Sequence, residues 1–424
     1  MEIVVQKYGG TSVGDAEKIR NVARRVAETR DAGNQVVVVV SAMGDSTDEL
    51  IHLANQVTDH PSTREMDMLL STGEIVSASL LAMALQQIGC GAISLSGRQA
   101  GIYTDHEYSK ARIAKIESQR ILDEFKKGNV VIVAGFQGIS DEEDITTLGR
   151  GGSDTTAVAL AISLGAKRTE RYTDVDGVYT ADPRICPEAR KLKDISYDEM
   201  LELATCGSKM MHYRAVELAG VHDMPILVAS SFTSEPGTLI HGGVTMEFRN
   251  KVRGIAHDTD VAKITLTRIP DKPGIAAAIF EPLAAAGISV DTIVQNASSD
   301  KITDLTFTVA TGDIAKAREV IQSAAVDVQP KDIITNDNLG KVSIVGIGMQ
   351  NTPGYAAKMF KTLSEAGINI LLITTSEIRI TCIIEAEKVN EAVQALHKVF
   401  EMEKDNGESQ INIHLKTQAN NGEF

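Results

Sequence analysis

The chain has 424 residues, 43% of them hydrophobic, which is enough for two or three packed domains. A formal net charge of -15, no Trp and only 4% aromatics argue against nucleic acid or an anionic membrane surface as the main partner. Four cysteines, Cys90, Cys186, Cys206 and Cys382, lie far apart without metal-type spacing, as expected of a reduced cytoplasmic chain without disulfides.

The N-terminus, Met-Glu-Ile-Val-Val-Gln-Lys, has neither a basic region nor a cleavage site, so no signal peptide is expected. Ile3, Val4 and Val5 predict a short strand. The Gly-rich turn Lys7-Tyr8-Gly9-Gly10-Thr11-Ser12 follows it. Glycines there let the backbone come close to a negative group. Lys7 reads either as a cation for phosphoryl transfer or as an ordinary strand-end lysine. Ile19, Val22, Ala23 and Val26 are at helical spacing, and Gly33 stops that helix. Residues 36–40, all Val, predict a strand buried on both faces. This longest apolar run is far too short to span a bilayer.

Glu74 falls at a predicted helix start. An acid there complements the helix dipole, and it is also expected to face the loops at the carboxyl ends of the strands. Residues 92–95 and 130–134 predict two more strands, each after an amphipathic helix. The alternation predicts a mostly parallel sheet with helices on both faces and ligands beyond the carboxyl ends of the strands. The polar turns 7–12, 41–47, 96–101 and 135–138 fall there.

Residues 149–156, Gly-Arg-Gly-Gly-Ser-Asp-Thr-Thr, precede a predicted helix over 157–164. A helix N-terminus behind glycines favours an anion. Arg150 adds a planar fork for carboxylate or phosphate, and Asp154 adds an acid. Two such loops on one α/β chain suggest nucleotide phosphate chemistry, although neither has the Walker or the Rossmann spacing. Residues 173–184 are dense in acids and turn formers. They lack the spacing and terminal Glu of a calcium loop. A turn that contacts a nucleotide fits better, with a purely structural turn as the other reading. His52, His60, His212 and His222 show no metal pattern and read as surface or packing residues.

Composition shifts over 238–260. Beyond it Pro273-Gly274, Ala276-Ala277, Phe280, Leu283 and Ala286-Gly287-Ile288 recur as Pro353-Gly354, Ala356-Ala357, Phe360, Leu363 and Ala366-Gly367-Ile368, at an offset of 80. Strands are predicted at 263–269, 289–294 and 305–309, and again at 342–348, 369–374 and 379–385. The order is βαββαβ, a duplicated ferredoxin-like unit. The expected divisions are 1–245 for a catalytic domain, 246–340 for a linker and the first small domain, and 341–424 for the second with a polar tail.

Taken together, 7–13, 41–45, 68–74, 135–138, 147–156 and 172–184 resemble the aspartate kinase family of the monofunctional, feedback-regulated bacterial type. The match is in order and spans the whole chain. The resemblance implies an α/β fold, an amino-acid-kinase αβα sandwich followed by two ACT domains. It implies transfer of phosphate from ATP, with Mg2+, to the side-chain carboxylate of L-aspartate. That carboxylate is ionised at neutral pH, so no general base is needed. By the same resemblance Lys7 and Asp154 are catalytic, and Lys7, Gly9, Gly10 and Ser12 contact phosphate. Ser41, Thr47, Glu74, Arg150, Gly151 and Ser153 bind aspartate, with Arg150 on a carboxylate and Glu74 on the ammonium. Thr173, Asp174, Tyr179, Arg184 and Lys209 meet the nucleotide. No protein metal ligand is assigned.

The ACT pair implies inhibition by lysine, threonine or both. The effector positions are Asp271, Gly274, Ile275, Ala276, Gln295 and Asn296 in one copy with Asn369, Ile370, Ser376 and Glu377 in the other. A homo-oligomer through the ACT domains is implied, and Met246 is a candidate internal start for a short chain. Two positions depart from the family pattern: Arg171, generally an apolar strand residue, within the basic stretch 167–171, and Ser208, where Ala is common. Two rival readings are a kinase for another acidic substrate, such as glutamate or acetylglutamate, and an amino-acid sensor with an inert kinase half.

Overall fold

The computed structural model describes residues 1–208, 210–242, 252–296, 301–328, 330–349 and 352–404. Lys209, Met246 and the end of the polar tail lie outside the described residues. The first half of the chain runs β1 (Ile3–Tyr8), α1 (Ala16–Asp31), β2 (Gln35–Val40), α2 (Ser46–Val57), α3 (Thr63–Gln87), β3 (Ala92–Leu95), β4 (Ile102–Thr104), β5 (Ile113–Ile116) and α4 (Gln119–Lys126). It continues through β6 (Val130–Ala134), β7 (Gln137–Ile139), β8 (Ile145–Thr147), α5 (Gly152–Ser163), β9 (Arg168–Thr173), β10 (Asp194–Ser196), α6 (Tyr197–Thr205), α7 (Tyr213–Val221), β11 (Ile226–Ser230) and β12 (Thr238–His241).

Among the described residues these strands form an eight-stranded sheet in the order β10-β12-β11-β9-β1-β2-β6-β3. Its pairs are parallel except β11 with β12. The valines of β2 show why a continuous apolar run belongs here. Val36, Val38 and Val40 pack under α1 and α3, while Val37 and Val39 pack under α5. Both faces are covered, which makes the αβα sandwich. A second, four-stranded sheet, β5-β4-β7-β8, lies beside it. Part of the turn predicted at 135–138 therefore belongs to a strand, β7.

The helix α3 is long and apolar enough, by length and composition, to cross a membrane. Its buried positions include Asp67, Ser71, Glu74 and Ser77, and it packs on α1, β3 and β8. That arrangement fits a core helix of the sandwich.

The second half runs β13 (Gly254–Pro270), α8 (Ile275–Ala285), β14 (Ile293–Gln295), β15 (Ile302–Val309), α9 (Ile314–Val328), β16 (Asp332–Val345), α10 (Tyr355–Glu365), β17 (Leu372–Thr375), β18 (Arg379–Glu385) and α11 (Val389–Val399). Its strands form one antiparallel sheet, β14-β15-β13-β16-β18-β17. The two repeats are thus fused through their long strands. Residues 262–270 of β13 pair with β15 and with 332–336 of β16 in the first unit. Residues 254–258 of β13 pair with 341–345 of β16, whose other neighbour is β18. The segment read from sequence as a linker ahead of the first unit therefore supplies an outer strand of the second, and β16 runs unbroken across position 340.

The second unit also grips the kinase half. Arg379 Nη1 lies 2.8 Å from Glu202 of α6, and Ser376 Oγ donates to the same carboxylate at 2.8 Å. Ile347 N–H donates to Glu199 at 3.2 Å. Thr180 Oγ1 meets His397 Nε2 of α11 at 2.9 Å.

Leu81 of α3 is fully buried against the sheet. Leu81→Ala is expected to lower stability by about 2–5 kcal/mol in denaturant unfolding. A loss under about 1 kcal/mol would show that α3 is not a core helix.

Candidate active site

Lys7 is the last residue but one of β1, the strand near the middle of the sheet. The first turn of α5 carries Asp154 to it. Lys7 Nζ and Asp154 Oδ1 are 2.7 Å apart, and both side chains are buried. This short contact is a buried ion pair. Arg171 of β9 donates from Nε to Asp154 Oδ2 at 3.1 Å. Burial pushes the Asp154 carboxyl up, but Arg171 and Lys7 outweigh it and hold it well below the usual carboxylate range. Burial pulls the Lys7 ammonium below its usual range. Asp154 opposes that fall and Arg171 adds to it.

Glycine shapes both loops. Gly10 passes so close to the segment after β2 that a Cβ would sit 2.7 Å from Ala42 O. Gly151 caps α5 at φ 73°, and a Cβ there would strike the His212 ring. The first loop is a tight turn, not an open cradle. Gly9 N–H donates to Tyr172 O at 3.2 Å, and Ser12 N–H to Gly9 O at 2.9 Å. Ser12 Oγ meets Ser231 Oγ at 2.9 Å.

Glu74 lies in the middle of α3, not at a helix start, because the helix begins eleven residues earlier, at Thr63. A dipole role is therefore excluded. Glu74 Oε1 accepts from Ala42 N–H at 3.0 Å, at the carboxyl end of β2. Its Oε2 is buried without a partner. Burial raises its pKa to about 7, with the Ala42 bond and Lys7 opposing. A buried carboxylate oxygen left open suits an ammonium group.

The other expected ligands surround this centre. Ser153 is buried in the first turn of α5, next to Asp154. Ser41 follows β2, and Thr47 lies in the first turn of α2, both half-buried. Arg150 is exposed and makes no ion pair among the described residues. In the acidic turn Thr173 Oγ1 donates to Asp174, which is exposed. Tyr179 OH donates to Asp176 at 2.6 Å. Arg184 pairs with Asp182 through two nitrogens, at 3.0 and 2.7 Å.

Two residues escaped the sequence reading. Asp67, two turns before Glu74 on the same face of α3, is fully buried. It accepts from Thr147 N–H at 2.8 Å, from Thr147 Oγ1 at 2.7 Å and from Ser109 N–H at 2.9 Å. It thus fixes the strand that leads into 149–151. The signal was an acid at helical spacing from Glu74. His212, read as packing, lies against Gly151 with its Nδ1 buried and unpartnered, and burial lowers its pKa.

The expected effector positions do not converge within one chain. Ser376 and Glu377 line a cleft of about 260 Å³ with Tyr355 and Arg379. Asn369 and Ile370 line a different one of about 400 Å³. Gly274 caps α8 at φ 93°, Asp271 N–H donates to Lys301 O, and Ile275 is buried in the core of the first unit. Ala276, Gln295 and Asn296 are exposed.

Residues 2–230 match the model of the amino acid kinase family, and 263–326 and 342–400 each match an ACT domain model. An aspartokinase of Mycolicibacterium smegmatis is 48% identical over 94% of this chain and 96% of its own. One from Pseudomonas aeruginosa is 48% identical over 95% of this chain and 98% of its own. Among solved structures, Escherichia coli aspartokinase III in complex with aspartate and ADP superposes with a TM-score of 0.80 at 27% identity, over 94% of this chain and 99% of its own. The same enzyme with lysine and aspartate gives 0.73 at 26% identity, with the same shares covered.

The raised pKa of Glu74 has a direction. An ammonium needs the ionised carboxylate, so its binding weakens as pH falls through about 7. The KM for an amino-acid substrate is expected to rise toward acid, and Glu74→Gln to raise it at all pH values and flatten the profile. An unchanged acid limb in Glu74→Gln would remove Glu74 from ammonium binding.

Proposed function

We propose the following from one premise: the chain belongs to the aspartokinase family and is an ATP-dependent phosphotransferase whose acceptor is the side-chain carboxylate of aspartate. The observation that carries the residue-level reading is the buried Lys7–Asp154 pair where β1 meets the first turn of α5. The reaction joins two anions, the terminal phosphoryl group and the aspartate carboxylate. Its barrier falls when fixed cations and donors meet the developing charge in a site that excludes water.

Lys7 is the cation, buried beside Asp154, and stabilises charge passing between the β- and γ-phosphates. Gly9, Gly10 and Ser12 line the phosphate side. The Gly9 N–H already donates to Tyr172 O of β9 and the Ser12 N–H to Gly9 O, which supports a stiff wall. Arg150, exposed at the rim, clamps a carboxylate of aspartate. Glu74 takes the ammonium on its open Oε2. Ser41, Thr47, Gly151 and Ser153 complete the substrate pocket. Thr173, Asp174, Tyr179 and Arg184 form the nucleotide wall, to which the resemblance adds Lys209.

Mg2+ supplies neutralisation of the triphosphate. The ion would take its ligands mainly from phosphates and waters, as Mg2+ usually does.

The wider reading is the first committed step toward lysine, threonine and methionine, in the cytoplasm, inhibited by lysine, threonine or both at the ACT pair. The lysine complex of the E. coli relative supports an ACT effector, as does the cleft at Ser376 and Glu377. A homo-oligomer through the ACT sheet gains support from Ile293 and Ile373, exposed on the edge strands β14 and β17. Pairing of edges between chains would also bring Gln295 and Asn296 of one copy toward effector residues of another. A short chain from Met246 remains part of this proposal.

Lys7→Ala is expected to lower kcat for aspartate-dependent ATP turnover by about 10²-fold or more. Near-normal kcat would take Lys7 out of the mechanism. Asp271→Ala is expected to relieve inhibition by lysine or threonine and leave the uninhibited kcat within about twofold. Unchanged sensitivity would move the effector site away from 271–276.

A further inference from the structure

Arg171 stands one strand over from Lys7. The parallel register of β1 and β9 sets the two residues opposite each other, so both side chains leave the sheet on the α5 face. There one carboxylate serves both cations: Asp154 Oδ1 for Lys7 at 2.7 Å and Oδ2 for Arg171 at 3.1 Å. Two positive charges share the Asp154 carboxylate; the other acid near Lys7 is Glu74 of α3, whose pKa, raised to about 7, leaves its charge partial at neutral pH. Arg171 Nη1 is buried besides, with no hydrogen-bond partner. Both features cost stability. A lone Lys7–Asp154 pair would be the less costly way to bury Lys7, so the extra cation calls for a reason.

The reason lies in what Lys7 has to do. Facing Asp154 alone, Lys7 would be neutralised, and any move toward a phosphate would strand a buried carboxylate. With Arg171 on its second oxygen, Asp154 keeps a partner when Lys7 turns away.

We propose that Arg171 is a positioning residue for phosphoryl transfer: it holds Asp154 and thereby leaves the Lys7 charge uncompensated for the transferring group. The proposal rests on the reading of Lys7 given above. The charged groups around Lys7 are Asp154 from α5, Arg171 from β9 and Glu74 from α3. Asp154 in turn acts on His212, ahead of α7, and opposes the fall of its pKa on burial. Burial and Arg171 favour the neutral amine of Lys7, while Asp154 and Glu74 favour the ammonium. Removing Arg171 therefore raises the pH at which Lys7 loses its proton.

The test compares kcat/KM for MgATP, at saturating aspartate, from neutral to alkaline pH. The proteins are the wild type, Arg171→Met, Arg171→Gln, Arg171→Lys and Lys7→Ala. Arg171→Met is expected to lose about tenfold in kcat/KM. Its alkaline limb is expected to move up by about half a pH unit or more. Arg171→Gln keeps a donor to Asp154 but not the charge. It should show the same shift, and it serves if the Met variant does not fold. Arg171→Lys should stay within about threefold of wild type with its limb in place. A wild-type rate and limb in the neutral variants, beside an inactive Lys7→Ala, would overturn the inference and leave the Lys7 reading standing. A lowered rate with an unmoved limb would also overturn it, because Arg171 would then be only structural. An active Lys7→Ala would overturn the reading of Lys7 and this inference with it.

Discussion

The kinase half is organised around a buried acid. Asp154 sits where β1, β9 and the first turn of α5 meet, and it is nearly out of reach of solvent. A carboxylate in such a place must be paired, and the partners available there are Lys7 and Arg171. The same requirement fixes the surroundings. The loop into α5 must turn tightly, so Gly151 takes a left-handed conformation against His212. The helix α3 must bring its acids to the same end of the sheet, so Asp67 fixes Thr147 and Glu74 reaches Ala42. Cations that pay for burying Asp154 are also what two approaching anions need.

The regulatory half is connected by strands that belong to both repeats. β13 and β16 each run through both units, and their pairing shifts register where the units meet, between Asp258 and Lys263. The route to the kinase half is short. The segment 375–380 contributes to the cleft at Tyr355, and its Ser376 and Arg379 hold Glu202 of α6. A molecule entering that cleft meets the side chains that join the two halves. Thr180 adds a second tie, from the acidic turn to His397 in α11. Coupling through these contacts needs no long chain of intermediates.

Much of this was legible in the residues. The valines of β2 announced a strand buried on both faces, and the offset repeat announced two similar small units. Lys7, Glu74 and Asp154 stood out beside glycine turns, but their roles came from the resemblance to the family. What stayed hidden depends on long-range pairing. Nothing local in 254–258 says that it will lie beside 341–345, nearly ninety residues away. Glu74 looked like a first-turn acid because the polar start of α3, near Thr63, carries no apolar periodicity. Asp67 drew no reading of its own, because its partners Thr147 and Ser109 lie far along the chain. Arg171 was visible as a departure from the family pattern, yet only the strand register shows that it shares Asp154 with Lys7.

The most direct measurement is the capture of the acyl phosphate. Purified protein with Mg2+ and ATP would receive aspartate or glutamate in the presence of hydroxylamine. The account predicts a hydroxamate that forms with aspartate, tracks ATP consumption and is absent with glutamate. Folded protein that yields no hydroxamate from aspartate, or yields it equally from glutamate, would contradict it.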